Sequence, residues 1–404
     1  MTSIGLADLA AARQLVGEVA RVTPLVAAGW LSRVAGGPAY LKCENLQRSG
    51  SFKVRGAYVR LARLSEAERG HGVVAASAGN HAQGVAVAAA RLGVASTVFM
   101  PRSAALPKVE ATRGYGALVR LTGDTVDDAL VAAHEHAERS GAVLIHPFDH
   151  RDIVLGQASV GVEILEQAPE VRTIVVPTGG GGLTAGIAAA VHALGADVDV
   201  VGVQAAGAAA YPPSLRAGHP VKLSHMSTMA DGIAVARPGE LPFAIISERV
   251  SSVRTTSEES IARALVQVME RSKLVVEPAG VPGVSALLDD PGGLRTPVVA
   301  VLSGGNVDPV LLQRLIRHGL SASGRYLSVT VRLVDNPGSL AQLLTLLASC
   351  EINVLGVDHV WTDPGLTIGQ IEVFLQLETK GASHRDETLD VLRQAGYEFT
   401  VSGV

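Results

Sequence analysis

A lysine between an aromatic residue and a run of small residues is the first candidate for chemistry in this sequence. Lys53 follows Phe52, and Gly50 and Ser51 just before them would supply a turn and the N-cap of a helix. The positive end of a helix dipole disfavours an ammonium group in the first turn and so favours a neutral amine. A neutral amine is the nucleophile that forms Schiff bases. A solvated lysine at a helix start is the alternative, and spacing alone does not separate the two.

A run of four glycines is the second candidate. The run Gly179-Gly180-Gly181-Gly182 follows an apolar stretch at 172–177 and precedes a helical pattern that begins at Leu183. Glycine lets backbone N–H groups converge on an anion, and a helix N-terminus adds positive potential. The run lacks the Lys-Ser/Thr pair of a nucleotide P-loop and departs from the dinucleotide pattern G-x-G-x-x-G. It therefore predicts a phosphate that belongs to neither ATP nor NAD, with a tight turn as the structural alternative.

Two more predicted strands end in polar loops. The loop Ser77-Ala78-Gly79-Asn80-His81 offers N–H groups and a hydroxyl to a carboxylate, and the Asn80 amide to a phenolate-like oxygen. By itself this loop is also typical of a capped helix start. Ser303 places a hydroxyl at another strand end, where parallel sheets collect their ligands. Together with Lys53 and the glycine run, these features indicate pyridoxal phosphate.

Composition excludes several other classes of function. Hydrophobic residues make up 48% of the 404 residues and aromatic residues only 3%, with 44 glycines, which indicates small-residue helices packed on a parallel sheet. The net charge of −4, without a long run of like charge, gives no footprint for nucleic acid. Cys43 and Cys350 lie too far apart for a metal motif and are expected to be reduced. No leader or membrane span is evident, so a cytoplasmic protein without membrane contact is expected.

The hydrophobic pattern changes near residue 320. Short apolar strands alternate with helices up to 302, which predicts an α/β catalytic body over 1–320 with a smaller subdomain at about 50–150. Small polar residues fill 319–324. Beyond them, the order of elements over 325–404 is strand, helix, strand, strand, helix, strand, which predicts a ferredoxin-like unit with its own core.

Four motifs together resemble a known enzyme family. The segments 51–57, 77–84, 179–183 and 303–306 are similar, in order, to those of threonine ammonia-lyases (threonine dehydratases). These are fold-type II pyridoxal-phosphate enzymes of the tryptophan synthase β group, and the resemblance covers about 20–318. The turn at 335–340 resembles that of an ACT regulatory domain.

The resemblance implies a role for each residue of these motifs. Lys53 would carry the cofactor and then act as the base at the substrate Cα, beside Phe52. Asn80 would bind the 3′-oxygen of the cofactor, and Ser303 would face its pyridine nitrogen. The phosphate would lie on Gly179–Leu183, and the substrate carboxylate on Ser77–His81.

The implied reaction converts L-threonine to 2-oxobutanoate and ammonia, as the first committed step of isoleucine biosynthesis. L-serine is expected as a second substrate. The proton for the leaving hydroxyl is expected from the cofactor phosphate, because no side chain in the motifs is suited to the role.

The C-terminal unit suggests regulation. Asp335, Asn336 and Gly338, with Asn353 supplied across a paired interface, would bind an amino-acid effector such as isoleucine in a homodimer or homotetramer. A unit that serves only assembly is the alternative.

Other activities remain as alternatives. A serine racemase of this type would carry a serine at the position of Ala78, and carboxylates for a cation near Gln204, Ala208 and Ala210, so no metal is expected. A serine dehydratase, a catabolic threonine dehydratase and a β- or γ-replacement enzyme are further readings of the same motifs. Outside enzymology, the alternative is an amino-acid sensor with an inactive catalytic body.

Overall fold

The chain divides into two compact units, Met1–Leu312 and Gln313–Val404. The structure is a computed structural model, and it describes residues 4–360 and 368–402. The division falls within a helix over Pro309–Ala322, earlier than the polar stretch at 319–324 that the sequence marked as a linker. This helix runs through Gly319 to Ala322 and ends just before Gly324, whose φ of +69° lies outside the right-handed helical region.

Strands and helices alternate through the first unit and into the helix that spans the division, as the sequence predicted for an α/β body. The strands are β1 (Leu25–Ala27), β2 (Ala39–Cys43), β3 (Val73–Ala76), β4 (Ser96–Met100), β5 (Leu118–Leu121), β6 (Val143–Leu144), β7 (Thr173–Pro177), β8 (Asp199–Ala205), β9 (Ser252–Thr256) and β10 (Val298–Leu302). The helices are α1 (Leu6–Gly17), α2 (Gly29–Ala35), α3 (Lys53–Ala62), α4 (Glu66–His71), α5 (Asn80–Leu92), α6 (Leu106–Gly114), α7 (Val126–Ser140), α8 (Arg151–Gln167), α9 (Gly182–Ala193), α10 (Tyr211–Ala217), α11 (Glu240–Arg249), α12 (Glu258–Ser272), α13 (Pro282–Asp289) and α14 (Pro309–Ala322). Short 3₁₀ turns lie at 44–46, 206–208, 231–233 and 278–280.

These strands form two separate sheets. The larger has the order β1-β2-β10-β7-β8-β9 and is parallel except where β1 pairs with β2. The smaller has the order β5-β4-β3-β6 and is parallel throughout. Every residue of β7 and β10 is buried, so these strands need apolar side chains on both faces. Because β2, β10 and β7 are parallel neighbours, their carboxyl ends lie at one edge of the larger sheet. The predicted site residues follow these strand ends.

Small residues let the helices approach closely. A Cβ on Gly156 of α8 would lie 2.5 Å from the Cα of Gly56 in α3, and a Cβ on Gly186 of α9 would lie 2.7 Å from the backbone of Ala158 in α8. The Ala- and Gly-rich composition thus fixes α3, α8 and α9 as one packed layer, and α3 begins at Lys53.

The second unit has the predicted ferredoxin-like order of elements. It contains β11 (Tyr326–Val334), α15 (Ser339–Ser349), β12 (Asn353–Val360), β13 (Gln370–Glu378), α16 (Ala382–Gln394) and β14 (Glu398–Ser402). The strands are antiparallel in the order β12-β13-β11-β14. Alternate residues of β11 and β13, such as Val331 and Val373, pack with Leu343 and Leu347 of α15 in a core of their own.

Across 4–360 and 368–402, no helix combines the length and the apolarity that a bilayer span requires.

Candidate active site

A cavity at the carboxyl edge of the larger sheet collects most of the predicted site residues. It holds about 520 Å³ of space not filled by atoms, part of which is open to solvent. Of the predicted residues it is lined by Phe52, Lys53, Asn80, Gly179, Gly180, Gly181, Gly182, Leu183 and Ser303. Further lining comes from residues that were not predicted: Pro147, Phe148, Pro177, Gly232, Ile233, Val235, Glu277 and Ala279.

The loop before Lys53 is pinned to the loop after β10. Ser51 and Gly304 form an antiparallel bridge, the Phe52 N–H donates to the Ser303 carbonyl at 3.3 Å, and the Gly305 N–H donates to the Gly50 carbonyl at 2.9 Å. The expectation that Ser51 caps the helix is wrong, because Phe52 is the N-cap residue and makes no side-chain cap. Backbone pairing holds Ser51 one residue before the N-cap position. Its buried hydroxyl has no hydrogen-bond partner among the described residues.

The Lys53 amine is held at the wall of the cavity. Its Nζ donates to the Pro147 carbonyl at 3.0 Å and lies 5.2 Å from the centre of the Phe52 ring. Withdrawal from water lowers the pKa of Lys53 to about 8, against a smaller opposing effect of the Glu277 carboxylate. Burial therefore favours the neutral form of the amine, which the sequence argument expected from the helix dipole.

The glycine run is shaped by the side chains on either side of it. A Cβ on Gly180 would lie 2.5 Å from carbons of the Phe148 ring, and one on Gly181, whose φ is +99°, would lie 1.9 Å from the Tyr211 hydroxyl. Only glycine fits both positions. The run leads into α9, whose first-turn N–H groups have no acceptor within the helix. A glycine cradle lined with such donors fits the phosphate of pyridoxal phosphate.

A turn over 146–149, not predicted as functional, supports both features. The His146 Nδ1 accepts from the N–H groups of Phe148 (3.3 Å) and Asp149 (2.8 Å). This turn aims the Pro147 carbonyl at Lys53 and places Phe148 under the glycine run. The Asp149 carboxylate accepts from two N–H groups at the start of α11, both at 3.0 Å. The sequence signal was the His-Pro-Phe-Asp string itself, which carries no known chemical pattern.

The predicted carboxylate loop forms the start of α5. The Ser77 Oγ accepts from the Gly79 N–H at 3.1 Å, while Ala78 and Gly79 lie half-buried beside it without lining the cavity. The His81 ring packs toward the Ile145 carbonyl, 2.8 Å from its Nε2. Burial lowers the pKa of His81 to about 3, so its ring is neutral. The loop can therefore offer a carboxylate its N–H groups and the helix start, but no histidine cation.

Ser303 lines the same cavity as the glycine run. Its side chain is buried, and its Oγ donates to the Ala279 carbonyl at 3.2 Å. A hydroxyl carries one proton, so a bond to a ligand's ring nitrogen requires that it turn from Ala279.

Glu277 is the main ionisable group that sequence reasoning missed. It is 2% exposed, lines the cavity and accepts a hydrogen bond from the Asn80 Nδ2. Burial raises the pKa of Glu277 to about 7. The available signal was a single acidic residue between Val-Val and Pro-Ala-Gly at 275–280, at the end of an apolar stretch.

The residues predicted to bind an effector are not all together in one chain. Gly338, with a φ of +97°, begins α15, next to Asp335 and Asn336 at the end of β11. Asn353 bonds Glu378 at 3.0 Å. Because β13 pairs Val334 with Gln370 but Asn353 with Glu378, Asn353 lies roughly 26 Å away along the sheet, at about 3.3 Å per residue.

Over residues 4–360 and 368–402, side chains suited to metal binding do not cluster. In the part of the chain that the structure describes, His, Cys, Asp and Glu form no group of three or more that could hold a metal ion.

The fold and cavity define a class of protein. A partly neutral lysine facing a glycine cradle, at the strand ends of an α/β body, belongs to enzymes that hold a phosphate-bearing cofactor on a lysine. The family described as pyridoxal-phosphate dependent enzyme matches residues 16–304. The chain belongs to this family, and pyridoxal phosphate is its cofactor.

Particular relatives narrow the comparison. An L-threonine ammonia-lyase from Thermotoga maritima is 42% identical over 400 residues, covering 99% of this chain and 100% of the relative. A catabolic L-threonine dehydratase from Staphylococcus aureus is 38% identical over 323 residues, or 79% of this chain and 93% of that protein. The structure of the processed form of threonine deaminase isoform 2 from Solanum lycopersicum matches with a TM-score of 0.74 and 37% identity, over 78% of this chain and 86% of that one. The predicted fold-type II body is thereby confirmed.

Proposed function

We propose that this chain catalyses the deamination of L-threonine to 2-oxobutanoate and ammonia. The observation that carries the proposal is one cavity in which the Lys53 amine, the glycine cradle and Ser303 face a common space. The similarity to the T. maritima L-threonine ammonia-lyase, which extends over that whole protein, supports threonine as the substrate.

The residues that would hold the cofactor come from different strand ends. The phosphate would lie on Gly179–Leu183, the ring beside Phe52, the 3′-oxygen on Asn80 and the pyridine nitrogen opposite Ser303. When bound, the cofactor supplies an aldehyde carbon open to amine attack and a ring that withdraws electron density from the substrate Cα–H bond. A serine opposite the nitrogen leaves that nitrogen unprotonated, which favours elimination over transamination.

The residues of the chain would move one proton and orient the substrate. Lys53, kept partly neutral by burial, would yield its place to the substrate amine and then remove the proton from Cα. The N–H groups at the start of α5 would hold the carboxylate, so that the Cα–H bond faces the lysine. The hydroxyl takes up a proton and leaves Cβ as water. One water molecule is then consumed when ammonia is released, so that one threonine gives one 2-oxobutanoate and one ammonia.

L-serine is the proposed second substrate. It lacks one methyl group of threonine, and a methyl in a pocket is worth only ~1–3 kcal/mol. Racemisation is disfavoured because Ala78 has no proton to deliver to the face of Cα opposite Lys53.

We assign catalysis to residues 1–320 and regulation to 325–404, with the second unit acting as an ACT domain. The full-length match to a threonine ammonia-lyase, against the shorter match to the catabolic enzyme, supports a regulated step of isoleucine biosynthesis. The turn with Asp335, Asn336 and Gly338 would need Asn353 from a second copy, which supports a homodimer or homotetramer. Isoleucine should then inhibit, and Asn353→Ala should abolish inhibition while activity remains. Equal inhibition of wild type and variant would remove Asn353 from the site.

The reaction is tested with the holoenzyme and a lysine variant. Wild type should show a visible cofactor band and form 2-oxobutanoate from L-threonine, and Lys53→Ala should lose both. Lys222→Ala is the matched control, because Lys222 is exposed and lies outside the cavity. A band without 2-oxobutanoate would keep the cofactor site and refute threonine as substrate. Absence of any band after reconstitution would refute the site and favour an amino-acid sensor.

A further inference from the structure

The orientation of the Asn80 amide is set by a chain of hydrogen bonds that starts at the backbone. The Ser49 carbonyl can only accept, so the Asn306 side chain must turn its NH₂ group toward it, at 2.8 Å. The same Nδ2 donates to the Asn80 Oδ1 at 2.7 Å. The Asn80 Oδ1 is therefore the acceptor, and its own NH₂ group faces the opposite side, toward Glu277 and the cavity.

The glycines around this contact leave it no room to shift. A Cβ on Gly304 would lie 2.2 Å from the Glu277 Oε1 and 3.0 Å from the Asn80 Nδ2. A Cβ on Gly50 would lie 2.1 Å from the Asn306 Oδ1. Backbone thus packs directly against both ends of the Asn306–Asn80–Glu277 chain, and its members keep their order.

Few charges surround Glu277. Asp231 opposes its ionisation, while Lys108 and Lys53 favour it, and Lys108 is itself paired with Asp231 at 2.7 Å. Burial is the largest effect and raises the pKa of Glu277 to about 7. This carboxyl therefore gains or loses its proton near neutral pH.

We propose that Asn306 and Glu277 are positioning residues for the cofactor. Together they fix the Asn80 amide with its NH₂ group toward the cavity, because Asn306 donates to the amide oxygen and the buried carboxyl group of Glu277 accepts from the amide nitrogen. The NH₂ group has two hydrogens: one bonds Glu277 and the other remains for the 3′-oxygen of the cofactor. The inference rests on the proposed cofactor site. It extends that site to Asn306 and Glu277, to which the sequence motifs assigned no role.

The first test reverses the amide. In Asn306→Asp the new carboxylate cannot donate to Ser49 or to Asn80, so the Asn80 NH₂ group should turn to it and present its oxygen to the cavity. The bound-cofactor absorbance maximum should shift, and the dissociation constant for pyridoxal phosphate should rise about tenfold. Asn45→Asp is the matched control, because the Asn45 Nδ2 likewise donates to a backbone carbonyl, that of Val275, at 3.0 Å, and Asn45 is not among the residues that line the cavity.

Asn45→Asp should lower the melting temperature and leave the absorbance maximum in place. An Asn306→Asp spectrum identical to that of the wild type would overturn the inference, as would equal spectral shifts in both variants, because a purely structural role would then account for them.

The second test follows the proton on Glu277. The absorbance of the wild-type holoenzyme should change with pH around a midpoint near 7. Glu277→Gln, which keeps an acceptor for Asn80 but cannot ionise, should remove this transition. Asp231→Asn should lower the midpoint and Lys108→Met should raise it, because they remove charges of opposite sign that face Glu277.

Each outcome decides a different claim. A transition that persists in Glu277→Gln, or a wild-type spectrum constant from pH 5.5 to 8.5, would overturn the role of the Glu277 proton. Absence of a bound-cofactor band in the wild type would overturn the proposed function and this inference with it. A band that ignores Asn306 and Glu277 would overturn the inference alone.

Discussion

Replacing Arg55 should destabilise the first unit more than the removal of a surface ion pair would. The Arg55 side chain is fully buried, two residues after Lys53 in the first turn of α3. Its guanidinium donates to both oxygens of Glu44 (2.8 Å each) and to both oxygens of Glu163 (2.6 and 3.0 Å). It also bonds the Ser159 hydroxyl and the Arg21 carbonyl. The Lys42 amine, bonded to Glu163 at 2.6 Å, completes a buried group of two cations and two anions.

The Arg55→Met substitution removes one of the two cations and leaves the two buried carboxylates with a single cation between them. Breaking a buried ion pair in this way costs about 3–5 kcal/mol, because the remaining charge keeps its desolvation penalty. The free energy of unfolding in urea should fall by that amount at pH 7. Arg13→Met is the matched control, since Arg13 pairs with Glu166 across α1 and α8 but both side chains are about half exposed. That variant should lose only about 0–1 kcal/mol.

The deficit should also depend on pH. Burial alone would raise the pKa of Glu44, but the neighbouring Arg55 cation outweighs it and holds that pKa below its ordinary value of 4.5. A carboxyl with a lowered pKa contributes stability that is present above 4.5 and lost as the pH falls through the lower folded value. The difference between wild type and Arg55→Met should therefore narrow in acid. A loss no larger than that of Arg13→Met, or a deficit constant from pH 7 down to pH 3, would refute the reasoning.

Two further predictions concern the cradle and the thiols. Gly180→Ala should weaken cofactor retention by at least tenfold, since its Cβ would meet the Phe148 ring at 2.5 Å. Gly17→Ala is the control, because Gly17 has open space around it, and it should retain the cofactor as the wild type does. Equal cofactor contents in the two variants would contradict the assignment of the glycine run as the phosphate site. Burial raises the pKa of Cys43 to about 12, so iodoacetamide at pH 8 should label the partly exposed Cys350 first and Cys43 only after unfolding, as mass spectrometry would show; equal labelling rates would exclude this.

The sequence predicted the parts of the site that depend on local pattern. The glycine run, the Lys53 loop and Ser303 each follow an apolar strand, and parallel strands bring their carboxyl ends to one edge, so their convergence in one cavity could be foreseen. The ferredoxin-like order of the second unit was equally visible, because period-two alternation and the turn at 335–338 mark it without long-range information.

Other features depend on contacts between distant segments, which no local pattern reveals. Ser51 has the residue type of an N-cap, yet its bridge to Gly304, some 250 residues away, prevents that role. Phe148 shapes the glycine run only because the turn at 146–149 folds beneath it. Glu277 becomes an unusual acid only once burial and Asn80 surround it, and a lone glutamate in a sequence gives no sign of either.

The reactivity of the site is therefore set by residues other than those that would touch the cofactor. The pKa of Lys53 is lowered by the protein packed around it, which withdraws the amine from water. That packing depends on the buried group around Arg55, which joins the start of α3 to α8 and to the end of β2. The Asn80 amide, in turn, is oriented by Asn306 and Glu277. A substitution at Arg55 or Asn306 should consequently alter the absorbance spectrum of the bound cofactor, although neither side chain lines the cavity. The matching motifs alone would not predict such an effect, because it depends on residues that support the site from outside.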